Sequence, residues 1–202
     1  MIDLLVFFLM AGLFAAIPFD RLLFSIYNRL RHTYSQLDIP KSAVKFSKAP
    51  FIVGLGWVFN FLKGFLIPLA ATQLFGFDEW VVIASVGLTL ALHIWSPFLG
   101  FTNRTQLFMV FWGIYTFLNP GFIVLFPLAV GLFTFLCDAY HFGLVLSMFS
   151  MSLILWMLSP NTFMLPLNIV LIMMGFFAAS HRMLYHLEHK PFTLLDAFNT
   201  RR

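Results

Sequence analysis

Apolar runs of bilayer-spanning character recur along the whole chain, and a water-soluble core has no room for them all. They lie at about residues 4–19, 51–75, 80–99, 105–118, 122–137, 144–158 and 163–180. Of 202 residues, 61% are hydrophobic and only 10% charged, well below the quarter of charged residues usual in soluble domains. Most apolar side chains must therefore face lipid or other membrane protein. The alternation of an outer-membrane barrel strand is missing, whereas unbroken runs such as Leu4 to Phe19 have the helical form. The expected fold class is an all-α polytopic membrane protein: one transmembrane domain over residues 1–202 with about seven helices. Asn119-Pro120-Gly121 is either a tight turn between two half-length helices or a kink within one long helix, and five spans is the lower count.

Positive charge sets the orientation. Arg21, Arg29, Arg31, Lys41, Lys45 and Lys48 fall in the first loop, Arg104 in the third, and Arg182, Lys190, Arg201 and Arg202 in the tail. The second, fourth and sixth loops have none, and the second carries Asp78 and Glu79. The positive-inside rule then puts the N-terminus outside, with a basic loop over 20–50 and a tail over 181–202 in the cytoplasm. A bacterial cytoplasmic membrane is the expected location. The opening Met-Ile-Asp has no basic stretch before the first apolar run, so that run reads as a retained span. Leu22, Leu23, Ile26, Tyr27 and Leu30 recur at helical spacing between Arg21 and Arg31, as in an interfacial helix or a continuation of the first span. The net charge of +4 is explained by these loops and is no sign of a nucleic-acid partner. One cysteine, Cys137, permits neither an internal disulfide nor a thiolate cluster.

Polar residues inside spans are costly in hydrocarbon and point to function. Asn60 and Lys63 share a face of the second span and are followed by Gly64, where a backbone could approach closely; His93 lies near the cytoplasmic end of the third. Together they would suit an anionic head group in a cytoplasm-facing cavity. The alternative is a lysine bonded to helix carbonyls beside a packed histidine. His181, His186, Glu188 and His189 have ligand chemistry without a further partner, and histidines titrating at the lipid surface explain them better than a metal. Neither metal nor cofactor is expected: no HExxH arrangement occurs, since Gln36, Pro97 and Val145 stand four after His32, His93 and His141, and no HxxxxD arrangement occurs, since no Asp stands five after any histidine.

The order of landmarks resembles the PlsY family, the bacterial glycerol-3-phosphate acyltransferases that use acyl phosphate. Ile17-Pro18-Phe19 ends the first span as in that family, Leu62-Lys63-Gly64-Phe65-Leu66 resembles its D-x-x-K-G segment, and His93-Ile94-Trp95 through Phe98-Leu99-Gly100-Phe101 resembles its G-H-x-aromatic-P segment leading to F-K-G-G-K-G. His181-Arg182 falls where the closing H-R-x-N-I-x-R-L begins. The resemblance implies seven helices around a cytoplasm-facing groove and transfer of an acyl chain to glycerol 3-phosphate. It also implies a site at Asn60, Lys63, Gly64, His93, Arg104, His181 and Arg182.

The ligand-facing motifs are altered. The family's S-G-N-x-G-A-T-N falls on Val44-Lys45-Phe46-Ser47-Lys48-Ala49-Pro50-Phe51, and no glycine occurs between Gly12 and Gly54. A phosphate loop needs glycines so that backbone N–H groups can approach the anion. K-G-G-K-G reads Thr102-Asn103-Arg104-Thr105-Gln106; Asn60 replaces an acid, and Leu184 and Leu187 stand where the family has Asn and Arg. The expectation is a fold kept and a site abandoned: a non-catalytic accessory or scaffold subunit in contact with the bilayer and with other membrane subunits, a bound phospholipid being a further candidate partner. The alternatives are an active acyltransferase with a rewired phosphate site, in which His93 is the base and Lys63 with Arg104 the anion clamp, and a lipid or small-molecule transporter.

Overall fold

The turn chemistry of the sequence divides its apolar runs into helices. The computed structural model describes residues 2–32, 49–76, 78–99, 107–158 and 164–189, the side chains of Arg31, His32, Leu99, Met164 and 181–189 excepted. All regular elements among them are helical: α1 (Ile2–Ala16), α2 (Phe19–His32), α3 (Pro50–Phe75), α4 (Glu79–Ile94), a 3-10 turn (Pro97–Leu99), α5 (Leu107–Leu118), α6 (Phe122–Cys137), α7 (Tyr140–Leu158) and α8 (Met164–His189). They form two units, Met1–Ile123 and Val124–Arg202. Among the described residues α3 and α7 are long and apolar enough to cross a membrane alone, and α1 with α2 passes the same test as one pair bent by 58°. Glu79–Ile94, Leu107–Leu118, Phe122–Cys137 and Leu165–Ser180 are shorter apolar helices.

Local chemistry explains the boundaries. Pro50 opens α3, where its missing N–H costs nothing, and Gly76 closes it at φ 68°, a left-handed conformation that glycine adopts freely. Asp78 caps α4 by accepting from the Trp80 N–H at 3.1 Å, and Glu79 adds negative charge at the positive end of the helix dipole. Both acids of the second loop are thus helix-start residues. At Asn119-Pro120-Gly121 the chain makes a turn: Asn119 Oδ1 accepts from the Gly121 N–H at 2.9 Å, and the Trp112 indole N–H donates to the Ile123 carbonyl at 3.0 Å. The tripeptide thus interrupts the helix between Leu118 and Phe122.

In the first unit, α3 is the central helix. Its buried face runs through Val53, Gly56, Asn60, Lys63, Gly64, Ile67, Pro68 and Ala71, and glycines set how closely its neighbours approach. A Cβ at Gly64 would fall on the carbonyl oxygen of Val110 in α5, and one at Gly113 would fall on the carbonyl of Phe61. The two glycines therefore make a reciprocal close crossing of α3 and α5 of the small-residue kind common in membrane bundles. At Gly56 a Cβ would meet the backbone of Asp20, which seats the start of α2 on α3.

At the start of α2, Asp20, Arg21 and Ser25 are buried, whereas further along Ile26, Arg29 and Leu30 are exposed, Ile26 and Leu30 at 39% and 82%. Along α1 the small residues Ala11, Gly12, Ala15 and Ala16 face inward and Leu5, Leu9 and Leu13 outward. Gly12 meets Leu92 and Leu88 of α4, and nearer the chain start an apolar groove of about 540 Å³ lies between Leu5, Phe8, Leu9, Ala84 and Leu88.

The second unit closes through α7, whose buried face is Gly143, Leu144, Ser147, Met148, Met151, Ser152 and Leu155. A Cβ at Gly143 would strike Thr134 of α6, and Asn168 of α8 donates to the Ser152 carbonyl at 3.1 Å. Several buried hydroxyls turn back on their own helices, Ser147 to the Gly143 carbonyl at 2.6 Å and Thr89 of α4 to Ser85 at 2.7 Å, which satisfies them where water is absent, whereas those of Thr116 and Thr134 have no hydrogen-bond partner.

The glycine crossing yields a direct expectation. Gly113→Ala places its Cβ against backbone that cannot step aside, so the detergent-solubilised variant should melt well below the wild type, with a loss of about 2–4 kcal/mol. Gly131→Ala, with nothing within 4 Å, should gain about 0.5–1 kcal/mol from helix propensity. Differential scanning fluorimetry of the two variants side by side checks both signs.

Candidate functional site

Pro18 cannot continue the hydrogen-bond ladder of α1, so the helix stops at Ala16 and the chain restarts as α2 at Phe19. A break of this kind leaves the last carbonyls of α1 without helical donors. In a membrane protein other side chains must supply them, and here they come from α3 and from the end of α4. Lys63 Nζ donates to the Ala15 carbonyl at 3.1 Å and also to that of Ile17. Ser96 Oγ donates to the carbonyl between them, Ala16, at 2.5 Å. Three consecutive carbonyls at the negative end of the α1 dipole are thus held by an ammonium and a hydroxyl.

The ammonium has a third neighbour. It sits 4.9 Å from the centre of the Phe19 ring, within cation–π range. That ring is stacked on Phe59 at 4.8 Å and meets the edge of Phe14 at 5.4 Å, so it is fixed on several sides. A lysine ammonium has three N–H donors. Two of them go to carbonyls, and the aromatic face lies beside the ammonium.

Around this contact lies a layer of buried polar groups. Asn60 and Lys63 have no exposed surface, and Asp20, Arg21, Ser25, His93 and Ser96 are at most 5% exposed. The Asp20 carboxylate lies 3.9 Å from Arg21 Nε and acts electrostatically on both Arg21 and Lys63. His93 is buried in the last turn of α4, three residues before Ser96. Both amide atoms of Asn60 are buried without a hydrogen-bond partner.

The residues singled out from the sequence are distributed as follows. Asn60, Lys63 and His93 belong to the buried polar residues of the first unit. Gly64 faces α5, where its missing side chain admits the Val110 carbonyl. Arg104 lies outside the described residues, as does the stretch 33–48 with the altered first motif. His181, Arg182, His186, Glu188 and His189 are on the last turns of α8, their side chains outside the description. Among the described residues no group of three His, Cys, Asp or Glu could hold a metal ion.

Sequence reasoning missed Asp20, Arg21, Ser25 and Ser96. Arg21 was read as a cytoplasmic loop charge, and the polar period of α2 does not say which face points inward. The one available signal was Ile17-Pro18: a proline just after an apolar run implies carbonyls in need of donors, and Lys63 is the sole lysine within an apolar run.

The fold is that of an acyltransferase. Two solved structures of PlsY (YgiH), described as an integral membrane glycerol 3-phosphate acyltransferase, superimpose with a TM-score of 0.73 each. The lysophosphatidic acid form is 19% identical, with 92% of each chain covered; the glycerol 3-phosphate form is 18% identical, with 97% of this chain and 98% of the other covered. No family model matches the chain, and no curated protein matches it by sequence. The resemblance read from short motifs is thus also a resemblance of fold, and the chain is a PlsY-like integral membrane protein in contact with the bilayer.

The orphaned amide makes a prediction. A buried unpaired amide costs about 1–3 kcal/mol, so Asn60→Leu, similar in volume, should raise the melting temperature in detergent. A lower melting temperature would mean that a polar guest pairs with Asn60 in the folded protein.

Proposed function

We propose that this chain is a non-catalytic protein built on the acyltransferase fold, acting as an accessory or scaffold subunit of a membrane complex. The observation that carries this reading is the engagement of Lys63. Its ammonium donates to the carbonyls of Ala15 and Ile17 and lies over the ring of Phe19, leaving at most one N–H for a phosphate oxygen. The sequence supports the same reading, because the glycine-rich segments that would cradle phosphate are replaced in both loops by residues with bulky side chains. A dianionic head group in a dry groove requires several converging donors. Here the lysine kept from the family pattern serves the backbone. The proposed topology is seven spans with the N-terminus outside and the tail in the cytoplasm, in a bacterial cytoplasmic membrane.

A second reading keeps the activity and rests on a different observation: Arg21 and Asp20 pair at 3.9 Å among the buried polar residues, and His93 is buried three residues before Ser96. In that reading His93 is the general base, and Lys63, Arg104, His181 and Arg182 bind the phosphate with Asn60 and Gly64 beside them.

Two measurements separate these readings and check the topology. Purification in a gentle detergent with native mass spectrometry should give a stoichiometric membrane partner, and the same sample should give no transfer from acyl phosphate to glycerol 3-phosphate. A partner-free protein whose turnover is lost in Lys63→Met would overturn the proposal. For orientation, a membrane-impermeant maleimide applied to intact cells should label Asp78→Cys in a Cys137→Ser background and should not label Thr200→Cys; the reverse pattern would invert the topology.

A further inference from the structure

The cage around the Lys63 ammonium has the composition of a cation site. It consists of carbonyl oxygens at the C-terminal end of a broken helix, one aromatic face and a nearby carboxylate. Each of these attracts positive charge. The carbonyls of Ala15 and Ile17 point at Nζ, the Phe19 ring lies 4.9 Å away, and Asp20 acts on it electrostatically. Broken helices inside membranes commonly turn such carbonyl ends toward a small cation, and aromatic faces favour alkylammonium groups. We infer that the end of α1 is a primary-ammonium binding site that the protein fills with its own Lys63, and that vacating it leaves a cage able to take a free alkylammonium ion.

The site has supports besides its occupant. Phe19 is held by Phe59 and Phe14, the Ala16 carbonyl is bonded by Ser96, and Asp20 is seated against Gly56. Removing the lysine side chain therefore removes the cation while its surroundings keep their own supports. Beyond the alanine Cβ, the substitution Lys63→Ala releases the space of three methylenes and an ammonium, which n-propylammonium matches in carbon number and charge. The inference rests on reading Lys63 as a structural cation, as the proposed function does, but a stability readout tests it without reference to turnover or partners.

The test uses the full chain in detergent with three forms. Lys63→Ala should melt about 5–10 °C below the wild type, because two hydrogen bonds from a charged donor are lost. Adding n-propylammonium should recover at least half of that loss in a saturable manner, while n-propanol at the same concentration should not, and the wild type should respond to neither. Lys63→Met restores the volume without the charge, so it should stay below the wild type and ignore the amine. Four results overturn the inference: no recovery by propylammonium, equal recovery by propanol, a Lys63→Met form as stable as wild type, or a Lys63→Ala form that fails to fold with and without amine.

Discussion

The hydrogen bonds from Lys63 to the end of α1 organise the first unit. A proline two residues past Ala16 ends a helix where water is scarce, and each open carbonyl there would cost several kcal/mol if left alone. Lys63 and Ser96 close that gap from two directions. The bend of 58° between α1 and α2 is thereby tied to α3 and to the end of α4. Once α2 is held in that direction, the polar residues at its start, Asp20, Arg21 and Ser25, lie inward. Gly56 is required by the same arrangement, since the backbone of Asp20 occupies the space of its absent side chain.

The same contact separates architecture from chemistry. A lysine, a glycine and a histidine can stand at the places of an enzyme's motifs and still serve other purposes. Lys63 is directed at backbone, Gly64 admits α5, and His93 is buried in the last turn of α4. The likeness to the two PlsY (YgiH) structures at 18–19% identity carries the fold. What the site does rests on where individual donors point.

Much of the architecture was legible in the sequence because it follows from local rules. Apolar runs marked the helices, Asn119-Pro120-Gly121 marked a break, and Pro50, Gly76 and Asp78 set ends where their backbone chemistry requires. Boundaries moved where turns lay inside apolar stretches: the run 4–19 divides at Ile17-Pro18, and that at 80–99 ends its helix at Ile94 before Pro97. The site was less legible. Periodicity identifies a polar face but not its direction, so Asp20 and Arg21 looked like loop charges although they are buried. The pairing of Lys63 with Ala15 and Ile17 spans more than forty residues, and no spacing rule within one helix contains it.

The central claim is that the Lys63 ammonium belongs to the backbone of α1 and not to a ligand. Its most direct test is the chemical reactivity of that amine in native membranes, read by peptide mass spectrometry after treatment with a membrane-permeant acylating reagent. Lys63 should remain unmodified while Lys41 and Lys190 react, and glycerol 3-phosphate should change nothing. Modification of Lys63 at a rate like theirs, suppressed by glycerol 3-phosphate, would contradict the account and return the lysine to a phosphate site.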